Sequence, residues 1–525
     1  MLICILIFYF AIKLTFSNIL ILELNYLILE QIDLKLIFYI DYSSKIFFNL
    51  LLIISLTVLK YRNFYISKTK DNKTFLILTL IFIISMIILI ISPNIFRIIV
   101  GWDGLGIRSF LLIVYYKDLK SFLSGLITFI VNRLGDSFIL IRLIIIIINY
   151  EFEFIYKKTE FLIFLLIGLI TKRAQFPFIV WLPMAIAAPT PISSLVHSST
   201  LVTAGVYLII RFNFLFINYH KIIIMCILSL YTIVLRGLIA INETDIKILI
   251  AYSTMSQISL ISLTLIIGIK FLSFFLLLIH SVYKSLSFIR FGILIKINIG
   301  MQDRKKIFLS SINYFIPTII IILSMIAING FPFIIAFLFK DGLSESIILN
   351  QFNIALIFFT LTGCVITVLY SSKLLKNFLN SNKKFKSWSK KTFDWKIIII
   401  MLILSVILIL LGELILNLTL ETKIKVKLLL EKITPLIVLI FMFIRIKIKS
   451  NYIIFLKIIS YEYPKKIINT IKILSNVDII FSSNIITKII YSQIKKVNIN
   501  IYYNNKILYD KSLILSFLGI WLIIN

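Results

Sequence analysis

The chain consists of long apolar runs separated by short polar segments. Most runs extend over roughly 20 residues, the length that an α-helix needs to cross the hydrocarbon core of a bilayer. Apolar residues occupy all faces of most runs, and they do not alternate with period two as in the strands of a membrane β-barrel. The pattern predicts an all-α polytopic membrane protein with about 15–16 transmembrane helices. The runs fall at residues 1–22, 34–59, 74–92, 94–116, 119–149, 160–182, 185–213, 221–241, 246–268, 271–296, 309–330, 331–349, 353–375, 396–418, 432–447 and 511–524.

The first run begins at once, with the sequence MLICILIFYFAI. It has neither the basic start and small-residue cleavage site of a secretory signal peptide nor the Arg- and Ser-rich pattern of a transit peptide. We therefore expect it to be the first membrane helix of a protein made by a bacterium or inside an organelle.

Residues 450–510 differ from the other apolar segments because lysine, asparagine and serine interrupt them. Ile486, Ile490 and Ile494 recur at helical spacing, with lysines between them. A helix of this kind is too polar to span a bilayer and is typical of one that lies along a membrane surface or a partner. The sequence therefore predicts a lateral amphipathic helix, followed by a final transmembrane anchor at 511–525.

Composition agrees with a membrane protein, since 60% of the residues are hydrophobic and only 15% are charged. The formal net charge of +31 would suggest nucleic acid in a soluble chain. Here the lysines stand between apolar runs, most densely at residues 376–396, where seven lysines accompany one acid. Such clusters favour anionic lipid headgroups, and no nucleic-acid partner is expected.

Motifs for common cofactors are missing from the sequence. Cys4, Cys226 and Cys364 lie far apart and form no C-x-x-C pair, which argues against iron–sulfur and zinc sites. The three histidines are too few for paired haems, and no glycine-rich nucleotide-binding motif occurs. We expect no metal and no cofactor in this chain.

Two apolar runs contain a proline within a similar Phe-Pro-Phe sequence, Pro177 at 160–182 and Pro332 at 331–349. Proline removes a backbone hydrogen bond, and the freed carbonyls must find protein or water in the membrane. Two interrupted helices at corresponding places indicate an inverted-repeat transporter with its ion path near the breaks. A chance recurrence of Phe-Pro-Phe is the alternative.

Several charged residues stand inside the predicted spans, although a charge at the bilayer centre costs about 2.5–3.5 kcal/mol on insertion scales. Asp136 follows Arg133 by three residues, so a purely structural ion pair is one interpretation. Lys340 could extend to the headgroups. A buried lysine that loses and regains a carboxylate partner can pass a proton, which is the other interpretation. The charged candidates are Asp103, Asp136, Lys172, Lys284, Lys340 and Asp341.

Histidines supply the remaining candidate proton carriers. At helical spacing His197 lies between Ser193 and Thr200, so a polar stripe is predicted there. His280 and Lys284 share a helix face in the same way. A lone buried histidine that is merely hydrogen-bonded in place is the alternative for His197. His220 is predicted to lie in a loop.

The motifs that contain these residues resemble the subunit 5 family of NADH dehydrogenase, the antiporter-like proton-pumping subunits of mitochondrial respiratory complex I. The resemblance is dense over residues 90–345 and covers the rest mainly in hydropathy. Its motifs are GWDGLG (101–106), NRLGD (132–136), TKRAQFPF…WLP (171–183), APTPISSLVHSSTLVTAGVYLIIRF (188–212), D-I-K…A-Y-S-T-M-S-Q (245–257), HSVYK (280–284), QDRK (302–305) and GFPF…F-K-D (330–341).

The resemblance implies N-terminal helices over 1–92, inverted five-helix repeats at 93–241 and 242–375, and additional membrane helices over 376–449. By position it implies that Asp103 pairs with the pump lysine Lys172. It places His197 and Lys284 on a central hydrophilic axis, with Leu276 where the family often has a second histidine before His280. The other implied members are Asp136 and Asp341 as lining acids and Lys340 as the lysine of the second broken helix.

The family resemblance also implies partners and location. It implies a multi-pass protein of the mitochondrial inner membrane, made inside the mitochondrion, beside other membrane-arm subunits and phospholipids such as cardiolipin. NADH, FMN, iron–sulfur clusters and ubiquinone would be bound by other subunits. A stand-alone cation/proton antiporter and a structural clamp acting through the lateral helix are the alternatives.

Four arginines stand inside spans where the family pattern favours small or apolar residues. Arg173 would place a permanent cation beside Lys172. Because some organelle codes read AGA as serine or another small residue, we hypothesise that some of these codons do not yield arginine in the protein. The four are Arg108, Arg173, Arg236 and Arg290.

Overall fold

The computed structural model describes residues 20–29, 32–66, 72–93, 95–148, 162–212, 219–298, 300–304, 354–379 and 401–407. This part of the chain is predominantly helical, as predicted. Its longer helices are α1 (Tyr42–Tyr65), α2 (Asn72–Ile91), α3 (Ile95–Ile113), α4 (Leu119–Ile148), α5 (Leu162–Lys172), α6 (Trp181–Ala185), α7 (Thr190–Arg211), α8 (Tyr219–Asn242), α9 (Ile246–Ile266), α10 (Lys270–Ile297) and α11 (Ile354–Leu379).

Within the described residues, seven helices are long and apolar enough to cross a membrane, namely α1, α2, α3, α7, α8, α9 and α10. Their bounds agree with the predicted runs to within a few residues, α1 excepted. Large apolar side chains are exposed on the outer faces, for example Ile77 on α2, Val100 on α3 and Ile227 on α8. Exposed apolar surface of this kind suits lipid rather than water. Pro332, Lys340, Asp341 and the predicted elements at 331–349, 450–510 and 511–525 lie outside the described residues.

A β-hairpin precedes α1, where the sequence analysis predicted helices at 1–22 and 34–59. Strands β1 (Leu20–Leu29) and β2 (Ile32–Ile40) pair antiparallel, with Leu20 opposite Ile40 and an irregular register after Asn25. The predicted helices are therefore wrong where these two runs overlap the strands, at residues 20–22 and 34–40. The physical reason lies in the alternation of polar and apolar residues in LELN and IDLKL, a period-two pattern that the overall hydropathy obscures.

The junction between the hairpin and the helices is held by Asp41 and Arg211. The Asp41 carboxylate caps α1 by accepting from the Ser44 amide at 3.0 Å, and the Ser43 hydroxyl donates to it at 2.8 Å. Burial alone would raise the pKa of Asp41, but the bonds from Ser44 and Ser43 and the charge of Arg211 outweigh it and lower the pKa. Arg211 donates to the Tyr39 carbonyl at 2.9 Å and also to the Ile90 carbonyl, which joins β2, α2 and α7.

The helices pack in an order that brings the polar residues of α3, α4 and α5 together. α3 lies between α2 and α4, and α4 lies against α5. α10 packs against α7 and α9, and α8 packs against α9 and α11. The largest fully buried side chains include Trp102 on α3 and Trp181 on α6, which flank the break after α5.

Candidate functional site

A helix break lies at the centre of the site. α5 ends at Lys172, and the chain continues irregularly to α6, which begins at Trp181. The Thr171 carbonyl has no amide donor four residues later, and it accepts instead from the Ala174 amide at 3.1 Å and from the Trp181 indole at 2.8 Å. The interruption predicted around Pro177 is therefore present, and the protein itself satisfies one of the freed backbone groups.

Lys172 and Asp136 form a buried ion pair beside this break. Their side chains are only 1% and 3% exposed, and the Lys172 Nζ lies 3.9 Å from the Asp136 Oδ1. Trp102 contacts both groups. Its indole donates to the Asp136 Oδ1 at 2.8 Å, its carbonyl accepts from the Lys172 Nζ at 3.4 Å, and its ring lies 4.9 Å from that amine. The pair is thus fixed by hydrogen bonds as well as by charge.

Asp103 occupies the outer side of the same cluster. It lies 3.3 Å from the Arg133 Nη1, and the same nitrogen lies 3.4 Å from the Asp136 Oδ2. The carboxylate at 3.9 Å from the Lys172 amine is that of Asp136, whereas Asp103 contacts Arg133, so the expected Asp103–Lys172 pairing is not a direct contact in this structure. The predicted Arg133–Asp136 contact exists, but Asp136 bridges two cations rather than serving one structural pair.

Close helix packing brings Asp136 and Lys172 together. A Cβ placed on Gly135 of α4 would lie 2.8 Å from the Thr171 Cβ, and one on Gly168 of α5 would lie 3.0 Å from the Gly135 carbonyl oxygen. Neither position can carry a side chain without a shift of the helices. On α3, a Cβ on Gly106 would lie 3.3 Å from the Lys172 Nζ, so this glycine forms one wall of the site.

His197 is fully buried on α7, within a π-helical stretch over Ser193–Thr200. Its ring lies 6.4 Å from the Trp181 ring and faces the backbone of Ala185. Neither ring nitrogen reaches hydrogen-bonding geometry with a described side chain. The Ser193 and Thr200 hydroxyls donate to backbone carbonyls of their own helix and make no direct bond to His197, so the predicted stripe stays a prediction.

Lys284 forms a second buried polar centre on α10. Its Nζ donates to the Ser253 hydroxyl of α9 at 2.5 Å and lies 5.5 Å from the Tyr283 ring. His280 is buried one turn earlier, with its ring 5.4 Å from that of Tyr283. Neither nitrogen of His280 hydrogen-bonds to a described residue.

The remaining residues complete the comparison with the sequence. His220 belongs to α8 rather than to a loop. No three side chains of His, Cys, Asp or Glu gather as metal ligands in the described ranges. Trp102 and Ser253 were missed, although each lies in a motif that was recognised, GWDGLG and A-Y-S-T-M-S-Q. Neither residue titrates near neutral pH, so a search for charged groups passes over them.

Two of the four unusual arginines are buried with no acidic side chain in ion-pair contact among the described residues. Arg173 is 0% exposed, and its Nη1 and Nη2 make no hydrogen bond within the described part of the chain. The Nε and Nη1 of Arg290 are equally unpartnered there. Arg173 also lies against Gly205, where an added Cβ would be 2.9 Å from its Cγ. A permanent charge in such a place is strongly unfavourable.

We therefore expect the protein from native membranes to carry a serine or another small residue at position 173. Peptide sequencing by mass spectrometry over residues 160–182 measures this directly. The peptide over 201–212 is the control, because Arg211 has three carbonyl and hydroxyl partners and should be found as arginine. An arginine observed at position 173 would contradict the hypothesis.

Comparison with known proteins decides the family. The model of the family described as NADH:quinone oxidoreductase/Mrp antiporter, transmembrane, matches residues 92–369. The chain belongs to this family. The match includes the whole Lys172–Asp136 cluster, His197 and Lys284.

Relatives within the family include NADH-ubiquinone oxidoreductase chain 5 of Anopheles gambiae, which is 37% identical over 67% of this chain and 63% of its own length. The corresponding chain of Apis mellifera ligustica is 42% identical over 55% of this chain and 52% of its own length. The match thus spans somewhat less than two thirds of these relatives.

Two solved structures share the fold. The Mrp complex from a Dietzia species matches with a TM-score of 0.70 and 16% identity, over 99% of this chain and 59% of that one. The membrane-bound sulfane sulfur reductase, described as an archaeal respiratory membrane complex, also gives a TM-score of 0.70, with 20% identity over 79% of this chain and 88% of that one.

Proposed function

We propose that the chain is a proton-translocating subunit of the membrane arm of NADH:ubiquinone oxidoreductase, without a redox centre of its own. The buried Lys172–Asp136 pair at the end of a broken helix carries this proposal. A lysine amine held against a carboxylate keeps its proton, and separation from the carboxylate in an apolar site releases it. Such a pair converts a small movement between α4 and α5 into the capture or release of one proton.

The ion-pair cluster supplies the means of moving that equilibrium. Arg133 contacts both Asp103 and Asp136. If Asp103 gains or loses its charge, Arg133 binds Asp136 more or less strongly, and the attraction between Asp136 and Lys172 changes in the opposite sense. Quinone reduction in other subunits would drive this change. The proton then passes from Lys172 towards His197, His280 and Lys284, and onwards to Lys340 and Asp341.

The same proposal includes the surroundings of the chain. We propose a multi-pass subunit in the mitochondrial inner membrane, in contact with other membrane-arm subunits, including neighbouring antiporter-like subunits along its lateral helix, and with phospholipids such as cardiolipin. NADH, FMN, the iron–sulfur clusters and ubiquinone would be bound by those other subunits. The exposed apolar faces of α2, α3 and α8 suit lipid or a membrane partner.

Purification from native membranes in a mild detergent tests this assignment. We expect the chain to elute in a very large assembly that oxidises NADH and reduces quinone. Elution alone or with a few small membrane proteins, without NADH oxidation, would contradict the proposal and favour a cation/proton antiporter. Sodium-dependent proton exchange in vesicles is then the measurement that identifies the antiporter.

A further inference from the structure

Four serines follow one another at every third position of α9. Ser253, Ser256, Ser259 and Ser262 are all buried, and each hydroxyl donates to the carbonyl three residues earlier, at 2.7, 3.0, 2.8 and 2.8 Å respectively. These bonds use the hydroxyl protons and leave the oxygens free to accept. We call the four residues the serine ladder.

Both ends of the serine ladder accept a hydrogen bond from a buried side chain of another element. The Lys284 Nζ of α10 donates to Ser253 at 2.5 Å, and the Gln175 amide donates to Ser262 at 2.8 Å. Gln175 lies in the break after α5, three residues beyond Lys172. The serine ladder therefore has one end at the second polar centre and the other beside the first.

Helix geometry explains why a ladder is needed between these two ends. A step of three residues turns a side chain by roughly 60° backwards around an α-helix of 3.6 residues per turn. Nine residues from Ser253 to Ser262 therefore turn it by about half a circle and rise about 13.5 Å. Lys284 and Gln175 contact opposite sides of α9, and the serine ladder winds from one side to the other.

Serines in membrane helices often bond their own backbone and allow close packing, and both effects occur without any transport role. These two effects do not explain why Lys284 and Gln175 donate to the ends of the ladder, because a serine that only allows close packing needs no hydrogen bond from a buried lysine or glutamine. No hydrogen bond of normal geometry reaches the His197 ring from a described side chain, so a link through His197 needs water on both of its sides. Among the described residues, the polar side chains that contact both centres stand along α9.

We propose that the serine ladder transfers protons between Lys284 and the break beside Lys172. This inference rests on the proposed function and names the route within it. A proton from Lys172 enters the ladder at Ser262 through water in the break, and another leaves the ladder at Ser253 for the Lys284 amine in its neutral form. Each hydroxyl between them accepts one proton and gives up one, so none is changed overall. Neighbouring positions are about 5–6 Å apart, so transfer along the ladder requires one bridging water molecule in each gap.

The test removes the two inner hydroxyls and leaves both ends intact, with the double variant Ser256→Ala, Ser259→Ala in the assembled complex. We expect the proton-to-electron ratio to fall by the same amount as in Lys172→Met, while uncoupled NADH oxidation is retained. The solvent deuterium isotope effect on coupled turnover should rise, which a purely structural change would not produce. If the double variant does not assemble, the same measurements on Ser256→Ala decide the question.

The matched control is the double variant Ser281→Ala, Ser285→Ala. These serines are equally buried and make the same backbone bonds on α10, but they lie off the ladder. Two results would overturn the route but not the proposed function. One is an equal loss of the proton-to-electron ratio in this control. The other is an unchanged proton-to-electron ratio in the ladder variant while Lys172→Met lowers that ratio. An unchanged ratio in both the ladder variant and Lys172→Met overturns the proposed function itself.

Discussion

Replacing Lys172 with methionine is expected to lower the rate of proton translocation through this subunit by at least about tenfold, since a positioned acid–base group typically contributes 10²–10⁴-fold. Methionine has nearly the length of lysine and is favoured in apolar surroundings, so the break and the assembled complex should persist. The variant leaves Asp136 with Arg133 and Trp102 as partners but removes the amine that the proposal makes the proton carrier. The measurement is the proton-to-electron ratio in vesicles that contain the complex.

Lys120→Met is the matched control, because Lys120 is exposed at the start of α4 and should tolerate the same substitution. Lys172→Arg separates charge from proton release, since a guanidinium keeps the positive charge but does not lose its proton. A normal ratio in assembled Lys172→Met complex would contradict the proposed role. Pumping by Lys172→Arg would show that the residue acts only as a fixed counter-charge to Asp136.

The helical fold could be predicted from the sequence because lipid leaves the chain few choices. A backbone in hydrocarbon must satisfy its own hydrogen bonds, so an apolar run of sufficient length becomes a helix. This argument holds for α2, α3 and α8. It fails for residues 20–40, where the hairpin forms. Glu23 and Asn25, and then Asp33 and Lys35, alternate with apolar residues as in a strand, although the mean hydropathy of the segment is high.

The candidate residues could be predicted, but their pairing could not. The sequence shows that Asp103 and Lys172 both lie within apolar runs, yet it cannot show which carboxylate comes nearest to the amine. The closer acid, Asp136, directly follows Gly135, the glycine that allows α4 to approach α5. In the sequence, the glycine directly before an acidic residue inside an apolar run was therefore the feature that could have predicted this close helix contact.

His197 illustrates a different limit. Its predicted stripe with Ser193 and Thr200 assumes 3.6 residues per turn, whereas Ser193–Thr200 forms a π-helical stretch with a wider turn. Thr200 bonds the Leu195 carbonyl, five residues earlier. Local sequence does not reveal such a change of register, because tertiary packing against Trp181 and α10 decides it.

Replacing Gly135 with alanine is expected to separate α4 from α5 and to disrupt the site without changing any polar group. The new Cβ would lie 2.8 Å from the Thr171 Cβ, which no rotation of the Thr171 side chain can relieve. Overpacking of this kind typically destabilises by about 1–3 kcal/mol, and a shift of the helices lengthens the 3.9 Å Lys172–Asp136 contact. We expect less assembled complex and, in what assembles, a lowered proton-to-electron ratio.

A second-site change makes this prediction specific. The three atoms nearest to the new Cβ belong to the Thr171 side chain, and the Thr171 hydroxyl donates to the carbonyl of Gly168 in its own helix. Adding Thr171→Gly should therefore recover assembly and pumping, although a second glycine in α5 costs about 1 kcal/mol. Gly125→Ala on the same helix is the control, because its closest contact is the methyl group Val114 Cγ2, the end of a side chain. If Gly135→Ala pumps normally, or if Thr171→Gly fails to improve it, then close approach of α4 and α5 does not set the geometry of the Lys172–Asp136 pair.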